Sequence, residues 1–242
     1  MTTLPLSPGH VDLWYALVET AIRRGRIDVY RATLPEEEVA RADRFHFERD
    51  QHRHLLTRAL VRRVLSDYTG VAPGAWTFRY NAYGKPSIAE PAGLAIDFNL
   101  SHTAGIVVCA VASAGELGVD VEDLSRTCSN LELARRFFAL PEVEILEQTS
   151  HERQPGVFLE FWTLKEAYIK ARGMGLALPL ADFAFALQPG GPPRVRFLKD
   201  RAGGEDDWRF VQLRLEECYQ AAVALCPPDG AEMNVCVRAI CP

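Results

Sequence analysis

The sequence predicts an α+β fold of two lobes, each a small antiparallel sheet packed on one long helix. Three observations predict it. Two strong helical stretches, residues 51–68 and 157–172, fall one in each half of the chain. Each is followed by runs of strand character. Each also follows a short echo: Ala42-Asp43-Arg44-Phe45-His46-Phe47 in the first half and Ala134-Arg135-Arg136-Phe137-Phe138 in the second.

The elements follow in chain order. Residues 36–49 are charged and helical in character. Across 51–68 (QHRHLLTRALVRRVLSDY), Leu56, Leu60, Val64 and Tyr68 recur at every fourth position. One helix face is therefore apolar, with Arg58, Arg62 and Arg63 largely on the others. Gly70 and Pro73-Gly74 end it. A strand at 76–80, a turn at 81–86 (NAYGKP) and strands at 96–101 and 106–112 come next. The small-residue break Ser113-Ala114-Gly115-Glu116 divides an N-terminal lobe, 1–114, from a C-terminal lobe, 115–242. In the second lobe, 141–155 reads as a helical insertion with a loop. The long helix 157–172 (VFLEFWTLKEAYIKAR) follows, then strands at 182–187, 194–198, 208–216 and 219–225. A turn at 227–231 precedes a final strand. The interface between two such halves is the natural place for a ligand.

Composition narrows the function classes. The 242 residues are 48% hydrophobic and 24% charged, with a formal charge of −5, so nothing pulls the chain as a whole toward nucleic acid. The start, MTTLPLSPGH, lacks a basic stretch leading into an apolar signal core, and no apolar run is long enough to span a bilayer. A soluble, cytoplasmic protein is expected. Cys109, Cys128, Cys218, Cys226, Cys236 and Cys241 form no C-x-x-C pair and read as reduced, mostly packed thiols. His52 and His54 face apart on a helix, so zinc is not expected.

Five stretches carry chemistry. In Gly118-Val119-Asp120-Val121-Glu122, strand alternation puts Asp120 and Glu122 on one face and Val119 and Val121 on the other. Two carboxylates side by side repel. The stretch is either the acidic wet face of an ordinary strand or a site for a hard cation, since Mg²⁺ is held by one or two carboxylates with substrate phosphates. Asn99-Leu100-Ser101-His102 closes a strand, as a turn with local hydrogen bonds or a phosphate contact. Glu166 and Lys170, one helical turn apart, suit a surface ion pair. Tyr83-Gly84-Lys85-Pro86 suits a turn, and Gly173-Met174-Gly175-Leu176 a helix C-cap.

Read in order, Arg53, YGKP, NLSH, GVDVE, WTLKEAYIK and GMGL resemble the 4′-phosphopantetheinyl transferases of the larger, two-lobed surfactin-synthetase type. The resemblance covers roughly residues 40–185. It implies a pseudo-twofold enzyme that binds coenzyme A between its lobes. Mg²⁺, or Mn²⁺ in its place, bridges the pyrophosphate, the phosphopantetheine arm passes to a serine of an apo carrier protein, and adenosine 3′,5′-bisphosphate leaves. Carried over by position, Asp120, Glu122 and Glu166 match the metal carboxylates, and Glu166 also matches a proposed base for the carrier serine. Lys165 and Lys170 match phosphate-binding lysines. Arg53, Ser101 and His102 match groups that hold phosphates, chiefly the 3′-phosphate, and Lys85 a residue beside the nucleotide. Asp120, Glu166 and Lys170 form the implied catalytic set. A divalent cation would relieve the repulsion between Asp120 and Glu122.

One departure stands out: where the family often carries further lysines, this chain reads Glu36-Glu37-Glu38-Val39-Ala40-Arg41, so only Arg41 matches. The partners implied are acyl or peptidyl carriers of fatty-acid, polyketide or nonribosomal peptide synthesis, with neither nucleic acid nor membrane. A pseudo-dimer in one chain is expected to act as a monomer. Carrier domains present acidic helices, so a local basic patch at Arg126, Arg135 and Arg136, with Phe137 or Phe138 as apolar anchor, is expected to meet them. Two other classes compete. A catalytically silent CoA- or carrier-binding protein should have lost a metal carboxylate or a helix lysine, and this chain keeps them. A metal-dependent phosphodiesterase or nuclease also suits D-x-E with a distant glutamate, but should carry a basic stripe or stacking aromatics.

Overall fold

Pattern and capping explain where the two long helices lie. In the computed structural model, which describes residues 4–125, 131–188, 190–199, 204–228 and 230–242, the first half runs β1 (His10–Leu17), α1 (Val18–Arg23), α2 (Arg26–Thr33), α3 (Glu36–Asp43), α4 (Glu48–Thr69), β2 (Thr77–Tyr80), β3 (Pro86–Glu90), β4 (Asp97–Thr103) and β5 (Ile106–Ala112). The second runs β6 (Glu116–Asp123), α5 (Leu131–Phe137), α6 (Leu140–Gln148), α7 (Gln154–Arg172), β7 (Phe183–Ala186), β8 (Arg194–Phe197), β9 (Arg209–Leu215), β10 (Tyr219–Cys226) and β11 (Asn234–Ala239). Both long helices, α4 and α7, stop at a glycine in the left-handed region, Gly70 at φ 75° and Gly173 at φ 62°, a conformation that glycine adopts without a Cβ penalty. The expected helical stretch 36–49 is broken: Phe47, with φ −104° and ψ 133°, is extended, and α4 starts after it.

The architecture is mixed α+β with two lobes. The first sheet has the order β11–β1–β5–β4, the second β6–β10–β9, and β2–β3 and β7–β8 form two separate hairpins. All pairs are antiparallel except β1–β11, which is parallel and joins the last strand of the chain to the first. The sequence reading had not placed β1 or β3, nor the sheet that β11 joins.

Strand alternation sorts β5 between two cores. Val107, Cys109 and Val111 pack with Leu56, Leu60, Val61 and Val64 of α4. Ile106, Val108 and Ala110 face the other way and share a core with Val11 and Leu13 of β1, Leu117, Val119 and Val121 of β6, and Val223 and Leu225 of β10. The two sheets therefore bury a common apolar layer. A third core joins α7, through Phe158, Phe161, Leu164 and Tyr168, to Phe183, Phe210, Ala222 and Ala224. Each long helix closes the outer face of its own sheet, and the lobes meet where β4 runs beside β6.

Candidate active site between the lobes

That seam is made of side chains. On β4, Asp97, Asn99, Ser101 and Thr103 alternate toward β6. The Leu117 amide donates to Asp97 Oδ2 (3.4 Å) and the Val119 amide to Asn99 Oδ1 (3.0 Å). Ser101 Oγ donates to Asp120 Oδ1 (2.8 Å) and Thr103 Oγ1 to Glu122 Oε2 (3.3 Å). With Val119 and Val121 committed to the shared core, Asp120 and Glu122 face α7. The helix lies directly on the strand: a Cβ at Gly118 would sit 2.0 Å from the Ala167 carbonyl oxygen and 2.5 Å from the Ala171 nitrogen. Only glycine permits that approach.

The approach brings Glu166 and Lys170 over the strand. Lys170 Nζ donates to Asp120 Oδ1 (2.5 Å) and to Ser101 Oγ (2.8 Å), so this lysine ion-pairs with β6 and hydrogen-bonds across to the first lobe, where the sequence suggested a surface pair with Glu166. Asp120 is 4% exposed, a buried carboxylate and not the surface one its strand pattern suggests. Its Oδ2 is buried with no hydrogen-bond partner among the described residues. Burial, then the charge of Asp120, push Glu166 up to about 7, opposed by Lys170 and reinforced by Glu122. Three carboxylates and one ammonium thus crowd one point. Among the described residues, no three His, Cys, Asp or Glu side chains form a group that would hold a metal ion as they stand, and Lys170 takes one side of Asp120 instead. The hard oxygen donors, the orphaned Oδ2 and the excess of negative charge nonetheless fit a hard divalent cation.

Two cavities flank this point. One, of about 520 Å³, is lined by Arg53, His102, Thr103 and Glu122, with Arg49 and Asp50. Arg53 is held by Asp50 at 2.8 Å. The protein crowding His102, then the charges of Arg53 and Lys170, lower its pKa. The other, of about 320 Å³, is lined by Tyr83, Lys85, Asn99, Glu166, Lys170 and Leu176. A hollow of about 480 Å³ beside Arg196 and Trp208 shares no lining residue with either and holds none of the expected site residues.

Two expected residues are placed differently. Lys165 is not available to phosphate. Its side chain is 0% exposed, paired with the equally buried Glu142 at 2.7 Å, and it donates to the carbonyls of Leu180 and Phe183, both at 2.7 Å. All three ammonium protons are consumed. Lys85 does line the second cavity, but its ammonium donates to the carbonyls of Leu117 (3.1 Å) and Ala171 (3.0 Å) and pairs with Asp97 at 3.7 Å. With Asn81, which donates to the Gly173 carbonyl at 2.7 Å, it caps the C-terminus of α7, where a cation is favoured. On the expected carrier patch, Phe138 is core, stacked on Phe158 with centroids 5.2 Å apart, so it is no surface anchor. Arg135 pairs with Glu147 at 2.8 Å, Arg136 lies over the Phe137 ring, and Arg126 falls outside the described residues.

Sequence reasoning missed Asp97 and Thr103 and assigned no role to Asn99 within its motif, although the alternation in DFNLSHT was the available signal, and it missed Glu142, for which no local signal exists.

An acidic, lysine-crossed cleft at the seam of a two-lobed α+β protein suits an enzyme that acts on a phosphate group. Comparison with known proteins makes this specific. The family described as "4'-phosphopantetheinyl transferase superfamily" matches residues 116–226, and "4'-phosphopantetheinyl transferase, N-terminal" matches residues 24–114. The 4'-phosphopantetheinyl transferase HetI of Nostoc sp. is 34% identical over 223 residues, 92% of this chain and 90% of that protein. A 4'-phosphopantetheinyl transferase of Bacillus subtilis is 31% identical, covering 93% of this chain and 97% of its own. The 4'-phosphopantetheinyl transferase Sfp of Bacillus subtilis is 33% identical, over 84% and 87% respectively. The chain belongs to the 4′-phosphopantetheinyl transferase family and transfers 4′-phosphopantetheine to carrier proteins. Neither the silent binder nor the phosphodiesterase is favoured.

Proposed function

We propose that the transfer is magnesium-dependent, takes coenzyme A as donor, and is carried out at the Asp120–Glu122–Glu166 cluster. The observation that carries this reading is the buried, unpartnered Asp120 Oδ2 beside a carboxylate raised to about 7. Asp120, Glu122 and Glu166 would hold the cation, which when bound neutralises pyrophosphate charge. The chain's own residues do the rest. Lys170 Nζ, within reach of Asp120 and Ser101, meets negative charge on the phosphates. Glu166 takes the proton of the carrier serine as its oxygen bonds to phosphorus, and the bond to adenosine 3′,5′-bisphosphate breaks. Arg53, His102 and Ser101 hold phosphate on the first-lobe side, and Lys85 supports the nucleotide side of the cleft from the cap of α7.

The lobes are proposed to divide at 114–115, between the two matched regions, with β11 returning to the first sheet. An internal pseudo-dimer supports a monomer. The cysteines among the described residues are all free thiols, which supports a reducing, cytoplasmic setting; no described helix is long and apolar enough to cross a membrane.

The test is to incubate the protein with CoA, an apo carrier protein and Mg²⁺ or a chelator, then weigh the carrier. Modification should require the divalent cation, and Asp120→Asn should lower kcat/KM by about 10²–10³-fold, the scale of losing one electrostatic stabiliser. Transfer that persists in chelator, or a fully active Asp120→Asn enzyme, overturns the reading.

A further inference from the structure

Glu142 stands outside the cleft, yet its carboxylate is as fully engaged as any group in the protein. It accepts from Lys165 at 2.7 Å, from the Ala139 amide at 3.1 Å and from the Phe185 amide at 2.9 Å. It is thereby fixed to the start of α6 and to β7 by backbone bonds. Lys165 is held in turn by this carboxylate and by two carbonyls that follow α7 in the chain.

Lys85 and Asn81 bond the C-terminal carbonyls of α7, Gln212 bonds the Glu160 carbonyl at 3.0 Å, and Lys170 reaches Asp120 and Ser101 through a long side chain; within the body of the helix, the remaining contacts fix its rotation less well than the Lys165–Glu142 pair. The packing of Phe158, Phe161, Leu164 and Tyr168 is apolar and non-directional. On the cleft side the helix meets β6 through Gly118, Ala167 and Ala171, small groups that do not interlock. A buried ion pair adds little net stability over an apolar pair of similar volume, so stability alone does not account for this one. What it supplies is direction.

We infer that Glu142 is a positioning residue for the transfer reaction, acting through Lys165 to set the rotation and height of α7 and so the reach of Glu166 and Lys170 across the cleft. Lys165 immediately precedes Glu166, so a rotation that withdraws one moves the other. The inference rests on the roles proposed above for Glu166 and Lys170.

The experiment compares the full-length wild type with Glu142→Leu/Lys165→Met, which removes both charges together, and with Glu142→Asp, which keeps the charge but withdraws it by one methylene. Melting curves, calorimetric CoA affinity and carrier modification rates are measured well below each melting point. A misplacement of about 1 Å lowers rates by up to roughly a hundredfold. A folded double variant should therefore lose about ten- to a hundredfold in kcat while CoA affinity falls by less than tenfold, because the first-lobe phosphate contacts stay in place. Glu142→Asp should show the same split to a smaller degree, and it decides the matter if the double variant does not fold. Wild-type kcat in folded Glu142→Asp or in the folded double variant overturns the inference. So does a tenfold or greater loss of CoA affinity in the double variant, which would make Lys165 a phosphate ligand. A parallel Glu166→Ala arm separates the two readings: if that enzyme stays active, the cleft assignment fails rather than the role of Glu142.

Discussion

Lys165 and Lys170 stand five positions apart on one helix, and each meets a carboxylate from another element. The cluster around Lys165 is closed. Its polar atoms are matched within the protein, and both charged side chains are fully buried. The cluster around Lys170 is open, with a serine shared between two partners, a buried acceptor left unmatched and a third carboxylate pushed toward neutrality. The Glu38 pairing with Arg58 and Arg62 lies between the two kinds, with both carboxylate oxygens bonded but Arg58 Nε buried without a partner among the described residues, and the Arg53–His102 edge resembles the second. A charge cluster that satisfies itself holds a fold together. One that leaves a group wanting is where a ligand belongs.

The largest effect that can break this contrast is on stability. Lys165→Met leaves Glu142 buried and unpaired, which is expected to lower the unfolding free energy by about 3–5 kcal/mol, read from denaturant midpoints. Adding Glu142→Leu should restore most of it. Lys170→Met, on a half-buried side chain, should destabilise far less while transfer is lost. If the two single variants melt alike, closed and open clusters do not differ as described.

A second test falls on the open side. His102→Ala or Arg53→Ala should each weaken CoA by roughly ten- to a hundredfold, the worth of one charge-assisted hydrogen bond. Binding of 3′-dephospho-CoA should hardly change. Equal losses for both ligands would move these residues from the 3′-phosphate to the pyrophosphate.

Acid tests the intermediate case, the Glu38 pairing. Burial pushes Glu38 up, but hydrogen bonds and charge from Arg62 and Arg58 outweigh it, so its pKa is lowered overall. The unfolded chain then binds more protons than the folded one as pH falls below about 4.3, the ordinary glutamate value. The stabilisation is present above that pH and is lost as pH drops through the folded pKa. Glu38→Gln should therefore melt below wild type at neutral pH, by an amount that shrinks as the solution is acidified. A gap that is constant with pH would mean that the pair contributes no charge interaction.

The smallest effect concerns a carboxylate in neither kind of cluster. Glu216 and Glu217, at φ 49° and 58°, form the tip of the β9–β10 hairpin with both residues left-handed, a turn that favours glycine or asparagine. Glu217→Gly should stabilise by about 1 kcal/mol and leave transfer untouched. No gain in melting temperature would show that the turn is relieved elsewhere.

How much of this was legible depended on range. GVDVE could be read because its two faces follow from strand alternation alone, and α4 and α7 because their apolar stripes and terminal glycines are local. The orientation of Lys165 could not be read. Successive helix positions turn by about 100°, and which side faces the cleft depends on Glu142, far back in the chain. The burial of Asp120 was hidden for a similar reason, since Ser101 and Lys170 come from different lobes. Strand β11 shows the limit most plainly: its sequence marks a strand, but its partner lies at the opposite end of the chain.

That pairing has a mechanical consequence. Strand β1 runs from His10 toward Leu17, and β11 lies parallel beside it, matched from His10 with Asn234 to Tyr15 with Ala239. A force applied ahead of His10 and behind Ala239 draws the two strands in opposite directions along one axis. Their hydrogen bonds are then loaded together in shear instead of opening one after another like a zip. Buried Asp12, bonded to Arg238 at 2.8 Å, acts as a pin through the lap. Stretched by its ends in a force spectrometer, the molecule should yield in one high-force event, and at lower force once Arg238→Ala has removed the pin.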